Sequence, residues 1–194
     1  MPPLMLKAGN KTWPMPEIDG TLFLRFTLLA PWLVALCVKD VRTRRLPNVW
    51  TLGGLAVALA VDFGLGGVSG LLDGLAAAGV CILFLIVPFL VRAAGGGDLK
   101  MLAACGAAVG MSNVLLLLLC VSFAGFFVAI GLVVRKAVGL ARVKHAFRCL
   151  FDWRYDRVAG RATLPSKEDE GNRIPFALAI ALGTMATLVW EAFV

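Results

Sequence analysis

The sequence predicts an all-α, polytopic membrane protein of about six transmembrane helices, and three observations carry that prediction. Of its 194 residues, 60% are hydrophobic and only 16% charged, with a mean hydropathy of +0.87; a soluble domain carries roughly 25% charged residues. The apolar residues gather in runs long enough for a bilayer core, which takes about 20 residues of helix. The basic residues fall almost wholly on one side of a six-span arrangement. A disordered chain, a fibrous repeat and a secreted disulfide scaffold are excluded by the same composition. The net charge of +7 therefore bears on orientation in a membrane, and no nucleic-acid partner is expected.

Taken in order, the spans are Leu22–Val38, Val49–Gly66 and Gly70–Val91, followed by an apolar stretch from Leu99 to Val134 that is too long for one ordinary span. Gly110-Met111-Ser112-Asn113 is its natural break, because glycine and short polar residues stop a helix. The break yields a fourth helix, Leu99–Val109, and a fifth, Val114–Val134. The fourth is only about 17 Å long at 1.5 Å per residue, so it needs a locally thinned bilayer or a sheltered end. The sixth is Ile174–Val194. The whole chain, 1–194, reads as one transmembrane domain.

Segments 39–48, 92–100 and 135–173 hold 16 of the 19 basic residues, and six spans put all three on one side. The positive-inside rule assigns that side to the cytoplasm and both termini to the outside, with Lys7, Lys11 and Arg25 left there. Segment 135–173 is the one sizeable hydrophilic region, and around His145–Tyr155 it mixes bases with aromatics. It reads equally as a surface helix touching acidic lipid or a partner, or as a solvated loop whose charges set orientation. The N-terminus lacks the small-x-small cleavage site of a secretory signal. The five cysteines form no CxxC pair and four lie in apolar runs, so they read as small buried hydrophobes, with no zinc site or disulfide framework.

Ionisable residues in or beside a bilayer are costly and tend to be functional. Asp19, Asp62, Asp73 and Glu191 fall near the outer ends of spans, and the expectation for them is an interfacial position with access to water. Asp40 and Asp98 differ, since both sit at cytoplasmic span ends. Asp40 opens Asp40-Val41-Arg42-Thr43-Arg44-Arg45-Leu46-Pro47-Asn48; Pro47 forces a non-helical link, and Asn48 suits an N-cap of the second span. Asp98 sits in Gly95-Gly96-Gly97-Asp98-Leu99-Lys100, where glycines permit close backbone approach and the acid suits the start of the fourth helix. Taken singly, Asp98 is a helix cap after a Gly-rich turn and Asp40 a helix end paired with Arg42 or Arg44. Taken together, two acids so flanked on one membrane face favour a site. Converging carboxylates share a proton, so one can activate water while the other polarises a carbonyl. His145 has no metal-ligand company, the serines lack a paired base, and no phosphate-binding loop is present.

At these residues the chain resembles the type IV prepilin peptidases, polytopic GxGD aspartic proteases. Asp40, Arg42, Leu46, Pro47 and Asn48 match the first motif of that family, and Gly95, Gly97, Asp98 and Lys100 match the second, 58 residues on. Ile174-Pro175-Phe176 and Ala181-Leu182-Gly183 resemble the start of its final helix. The resemblance implies that Asp40 and Asp98 are the catalytic pair, needing no metal or cofactor. It implies that Gly95, Gly96, Gly97, Lys100, Arg42, Pro47 and Asn48 bind substrate or support the site. The implied substrate is a prepilin or pseudopilin precursor, cut after its basic leader at the cytoplasmic face of a bacterial inner membrane. Without the CxxC pairs of the longer members, the chain resembles the stand-alone form of the Flp/Tad pilus system and is expected to lack the zinc-binding region and methyltransferase activity. The competing readings are a small polytopic transporter and a non-catalytic pilus-assembly subunit. A further expectation is that the Gly95–Gly97 strip pairs with an extended precursor segment.

Overall fold

The computed structural model describes residues 20–43, 47–90, 94–134 and 176–193. Among these the chain is wholly helical, in the order α1 (Gly20–Thr43), α2 (Asn48–Leu90), α3 (Gly96–Val109), α4 (Val114–Val134) and α5 (Phe176–Phe193). Four of them, all but α3, are long and apolar enough to cross a membrane. Large apolar side chains such as Phe23, Leu83, Leu115, Phe127 and Trp190 point outward and are well exposed. Such a surface suits hydrocarbon, because helices satisfy their own backbone groups and need no water.

α2 covers both the second and the third expected spans in one 43-residue element. It is not a straight rod. Gly67 has φ 60° and ψ −143°, a backbone conformation open mainly to glycine, and there the helix doubles back. A side-chain carbon on Gly70 would strike the carbonyl of Asp62, and one on Gly74 would strike the Asp62 carboxylate. In a straight helix Asp62 and Gly70 would lie about 12 Å apart along the axis, so the two arms of α2 form a hairpin with glycines at the seam.

α3 is the centre of the fold. Every residue from Met101 to Gly110 is buried. Its run Ala103-Ala104-Cys105-Gly106-Ala107-Ala108 presents so little side chain that neighbouring backbones approach closely. At Gly106 an added carbon would stand 2.5 Å from Cys81 Sγ and 3.1 Å from the Ala77 carbonyl. Cys81 and Cys105 act here as small buried hydrophobes. At 14 residues α3 is too short to span, and protein shelters it on all sides. Gly110, at φ 84°, ends it and donates its N–H to the Gly106 carbonyl at 2.9 Å. The expected break before Val114 is therefore where the sequence places it.

α4 and α5 pack as a pair through another glycine. A carbon added at Gly183 would lie 2.6 Å from the backbone of Val121. α5 also touches α1 and α3, so it closes the bundle opposite α2. α1 runs past its expected end at Val38 to Thr43, and Pro47 stands outside the helix that follows it. Segment 135–173, the residues Arg44, Arg45 and Leu46, Asp19, and Ile174-Pro175 lie outside the described residues.

The glycines make opposite predictions by position. Gly183→Ala overpacks the α4–α5 seam and should lower stability by about 1–3 kcal/mol. Gly79→Ala enters open space and should raise it by about 0.5–1 kcal/mol through helix propensity. Thermal unfolding of the two variants in detergent checks both signs.

Candidate active site

One end of the bundle collects both sequence motifs. Asp40 lies in the last turn of α1, half-buried, with exposed Arg42 half a turn beyond. Lys39 places Nζ 4.5 Å from the centre of the Trp50 ring on α2, a cation–π contact. Two turns earlier Trp32 donates its indole N–H to the Trp50 carbonyl at 3.0 Å, and its ring fills the notch left by Gly54. These contacts hold the end of α1 against the start of α2.

The start of α2 in turn holds the start of α3. Lys100 donates to Oδ1 of Asn48 at 2.8 Å, a tie between the first motif and the second. This gives Lys100 an amide as its partner. It also corrects the reading of Asn48. The Pro47 carbonyl accepts the first helical bonds, from Trp50 at 3.0 Å and Thr51 at 3.3 Å. Pro47 thus stands at the cap, and the Asn48 side chain is turned outward to Lys100.

Asp98 is corrected in the same way. α3 begins at Gly96, three residues before its expected start, because the N-cap is Gly95 with φ −84° and ψ 153°. Asp98 is therefore at the third helical position, and its Oδ2 accepts the Gly95 backbone N–H at 3.0 Å. That is the acidic half of a capping box, and the positive end of the helix dipole favours the anion there. Gly96 and Gly97 lie in the first helical turn, so of the glycine strip only Gly95 is extended. Strand-like pairing along the whole strip does not fit a helical turn.

The opposite end holds a charge cluster that the outer-end reading of these residues missed. Arg25, near the start of α1, reaches three elements. Its Nη2 is 3.8 Å from Asp62 Oδ1 on α2, and its Nη1 is 3.7 Å from Glu191 Oε1 on α5. Nη1 also donates to the Val109 carbonyl at the end of α3, at 3.4 Å. Asp62 is 7% exposed, which overturns the expectation that it sits in interfacial water; the α2 hairpin folds over it. Asp73 is exposed as expected, and it accepts the Met111 backbone N–H at 2.9 Å, capping the α3–α4 turn. The signal for the cluster was present: an arginine inside an apolar run demands a buried partner.

The two ends fix the depth of the motif acids. α1 and α3 run in opposite directions and are tied where Arg25 meets Val109. Counting 1.5 Å per residue from that tie, Asp40 lies about 22 Å along α1 and Asp98 about 17 Å along α3. Both carboxylates therefore stand at the same end of the bundle. Among the described residues, no group of three or more His, Cys, Asp or Glu gathers to hold a metal ion.

A sequence pattern of the type IV leader peptidase family matches residues 27–130, which spans both motifs and more than half of the chain. The chain belongs to the type IV leader peptidase family. Comparison with curated proteins returns no match, and neither does comparison with solved structures. Membership makes the chain a leader-peptidase-like protease, a type of aspartic protease, embedded in a membrane by its apolar helices. The matched region stops short of Arg25 and of all of α5, so half of the charge cluster is built from parts outside the family pattern.

If the Lys100–Asn48 bond joins the motifs, the two residues act as a unit. A double-mutant cycle of Asn48→Ala and Lys100→Met on thermal unfolding should return a coupling of about 0.5–1 kcal/mol. A coupling of zero would mean the bond contributes nothing to holding the two helix starts together.

Proposed function

We propose that this chain is an aspartic endopeptidase that removes the basic leader from pilin-like precursors, with Asp40 and Asp98 as its catalytic pair. The observation that carries the reading is that the only two acids in the family motifs lie at one end of the bundle, on helices tied together through Trp50, Asn48 and Lys100.

The chemistry follows from two carboxyl groups sharing one proton. The ionised carboxylate accepts a proton from water as its oxygen attacks the scissile carbonyl carbon. The protonated carboxyl donates to the carbonyl oxygen, giving a tetrahedral diol. On collapse the C–N bond breaks, the leaving nitrogen takes a proton, and the products are the leader carboxylate and a new amine terminus. Each proton moves between water, the pair and the substrate, so the site needs no cofactor. Lys100, Asn48 and Pro47 hold the frame, and the Gly95 N–H orients Asp98. Gly96 and Gly97 keep side chains away from the acid, and Arg42 stands exposed where a precursor would approach.

The membrane would be the bacterial inner membrane, with the site at the cytoplasmic face and both termini outside, as the basic segments favour. The precursor would be a prepilin or pseudopilin of the Flp/Tad kind, processed without N-methylation.

Membranes carrying the parent chain, Asp40→Asn, Asp98→Asn or Asp62→Asn are mixed with a pilin-like precursor from the same genome. The amide keeps the size of each acid and removes its proton chemistry. Loss of cleavage by at least about 10³-fold is expected for Asp40→Asn and Asp98→Asn, in the range seen when one member of a catalytic unit is removed. Asp62→Asn keeps an oxygen acceptor for Arg25 and should cut far better than either motif variant. Cleavage by either of the first two variants would show that the pair is wrongly assigned.

A further inference from the structure

Arg25 is remote from both motifs, yet it ties the start of α1 to three other helices. Of the polar ties from α1 described above, those from Trp32 and Lys39 reach α2. Cys37 Sγ makes a long contact of 3.6 Å with the Ala177 carbonyl on α5. The bond from Arg25 to the Val109 carbonyl, 3.4 Å, is the tie that reaches α3. α1 carries Asp40 and α3 carries Asp98. α1 stays helical from Arg25 through Pro31 to Asp40, so an anchor at its start bears on the height of a residue 15 positions away.

The chemistry of the anchor suits this task. Three negative ends converge on one guanidinium: Asp62 from α2, Glu191 from α5, and the C-terminal carbonyl of α3, which is the negative end of that helix. Nη1 serves Val109 and Glu191 while Nη2 serves Asp62, so the planar fork fixes direction as well as distance. A lysine would supply the charge without the fork. Asp62 is buried and Arg25 mostly so, and charges in such surroundings are held firmly because sliding would strip them of partners.

We propose that Arg25 is a positioning residue for the peptidase reaction: by clamping α1 to the end of α3 it sets the height of Asp40 relative to Asp98. The proposal rests on the assignment of those two acids as the catalytic pair. Arg25 touches neither substrate nor reacting atoms; it acts through α1. Weakening the clamp lets α1 shift or rotate and opens the pair. Separated carboxylates interact less, so the two apparent pKa values of the shared proton draw together.

The test compares parent, Arg25→Lys and Arg25→Gln in cleavage of a pilin-like precursor from the same genome, per folded molecule, across pH. Arg25→Gln should lower kcat roughly 10–100-fold, as misplacement of catalytic groups by about 1 Å does, with KM changed less than about twofold. Its kcat–pH profile should narrow, and Arg25→Lys should fall between it and the parent. Unchanged kcat and profile in the folded variants would overturn the proposal. So would activity that falls only in step with the folded fraction, since a purely structural role moves neither kcat per folded molecule nor the profile. Should Arg25→Gln fail to fold, Arg25→Lys carries the same comparison. A parent that cuts no precursor defeats the peptidase reading itself. The clamp is then read directly from the spin-label distance between Asp40→Cys and Asp98→Cys, with the native cysteines replaced. A shift or broadening of about 2 Å or more with Arg25→Lys, on the scale of one residue's helical rise, supports the clamp, and an unchanged distance overturns it.

Discussion

The ion cluster around Arg25 is the constraint on which the arrangement of helices depends. A guanidinium in an apolar bundle is tolerated only where opposite charge and hydrogen-bond acceptors converge on it. Here those acceptors come from three other helices, and each must be brought to the same point. Asp62 arrives because the first arm of α2 returns beside α1 from Asn48, Val109 because α3 stops at Gly110, and Glu191 because α5 returns beside α1. Removing any of these turns would leave a charge in the bundle without its partner, so the cluster selects one topology among those that would bury the same apolar area. The dispersion forces that pack apolar helices in lipid discriminate poorly between registers; the charges supply the discrimination.

The short central helix follows from the same geometry. α3 must end where Arg25 can reach its last carbonyl and begin where Asp98 and Lys100 can face the end of α1 and the start of α2. Fourteen residues cover about 21 Å, which is less than a bilayer core, and the deficit is made good by burial. Alanines, a cysteine and a glycine let α2 and α5 pack closely against α3, which is buried from Met101 to Val109. Larger side chains would stabilise an isolated helix more and would hold the neighbours too far away for the ties at either end to form.

Much of this was legible in the sequence, for identifiable reasons. The break at Gly110–Asn113 was visible because four helix-stopping residues interrupt an otherwise apolar run. The reversal in α2 was visible because glycines cluster where one span's length is used up. Asp40 and Asp98 stood out because both carry flanks that a bare interfacial acid does not need. The starts of α2 and α3 were less legible. Which residue caps a helix depends on where its side chain finds a better bond, and the Asn48 amide is drawn to Lys100, 52 positions away. The glycines before Asp98 looked like an open strip because glycine favours loops, yet the cap formed by Gly95 and Asp98 carries the two between them into the helix. Buried Asp62 was misread as interfacial because its burial comes from the opposing arm of the hairpin, which no local pattern announces.

The two ends of the bundle thus divide two incompatible demands. A catalytic carboxylate pair needs water, a substrate backbone and some freedom to exchange protons, and all of these weaken electrostatic cohesion. A fixed charge cluster needs the reverse: exclusion of water and no competing partner. Placing both at one level would let the water that the reaction consumes screen the ions that hold the helices. With the ions at the far end, the two regions are linked by the helices that run between them, α1, α3, α5 and the first arm of α2. Polar contacts around Lys39, Trp50, Asn48 and Lys100 can then be modest and partly exposed without loss of register. Under the proposed reading, the carboxylate end stays open to substrate while the ion cluster, with Asp62 buried, lies at the other end of the bundle.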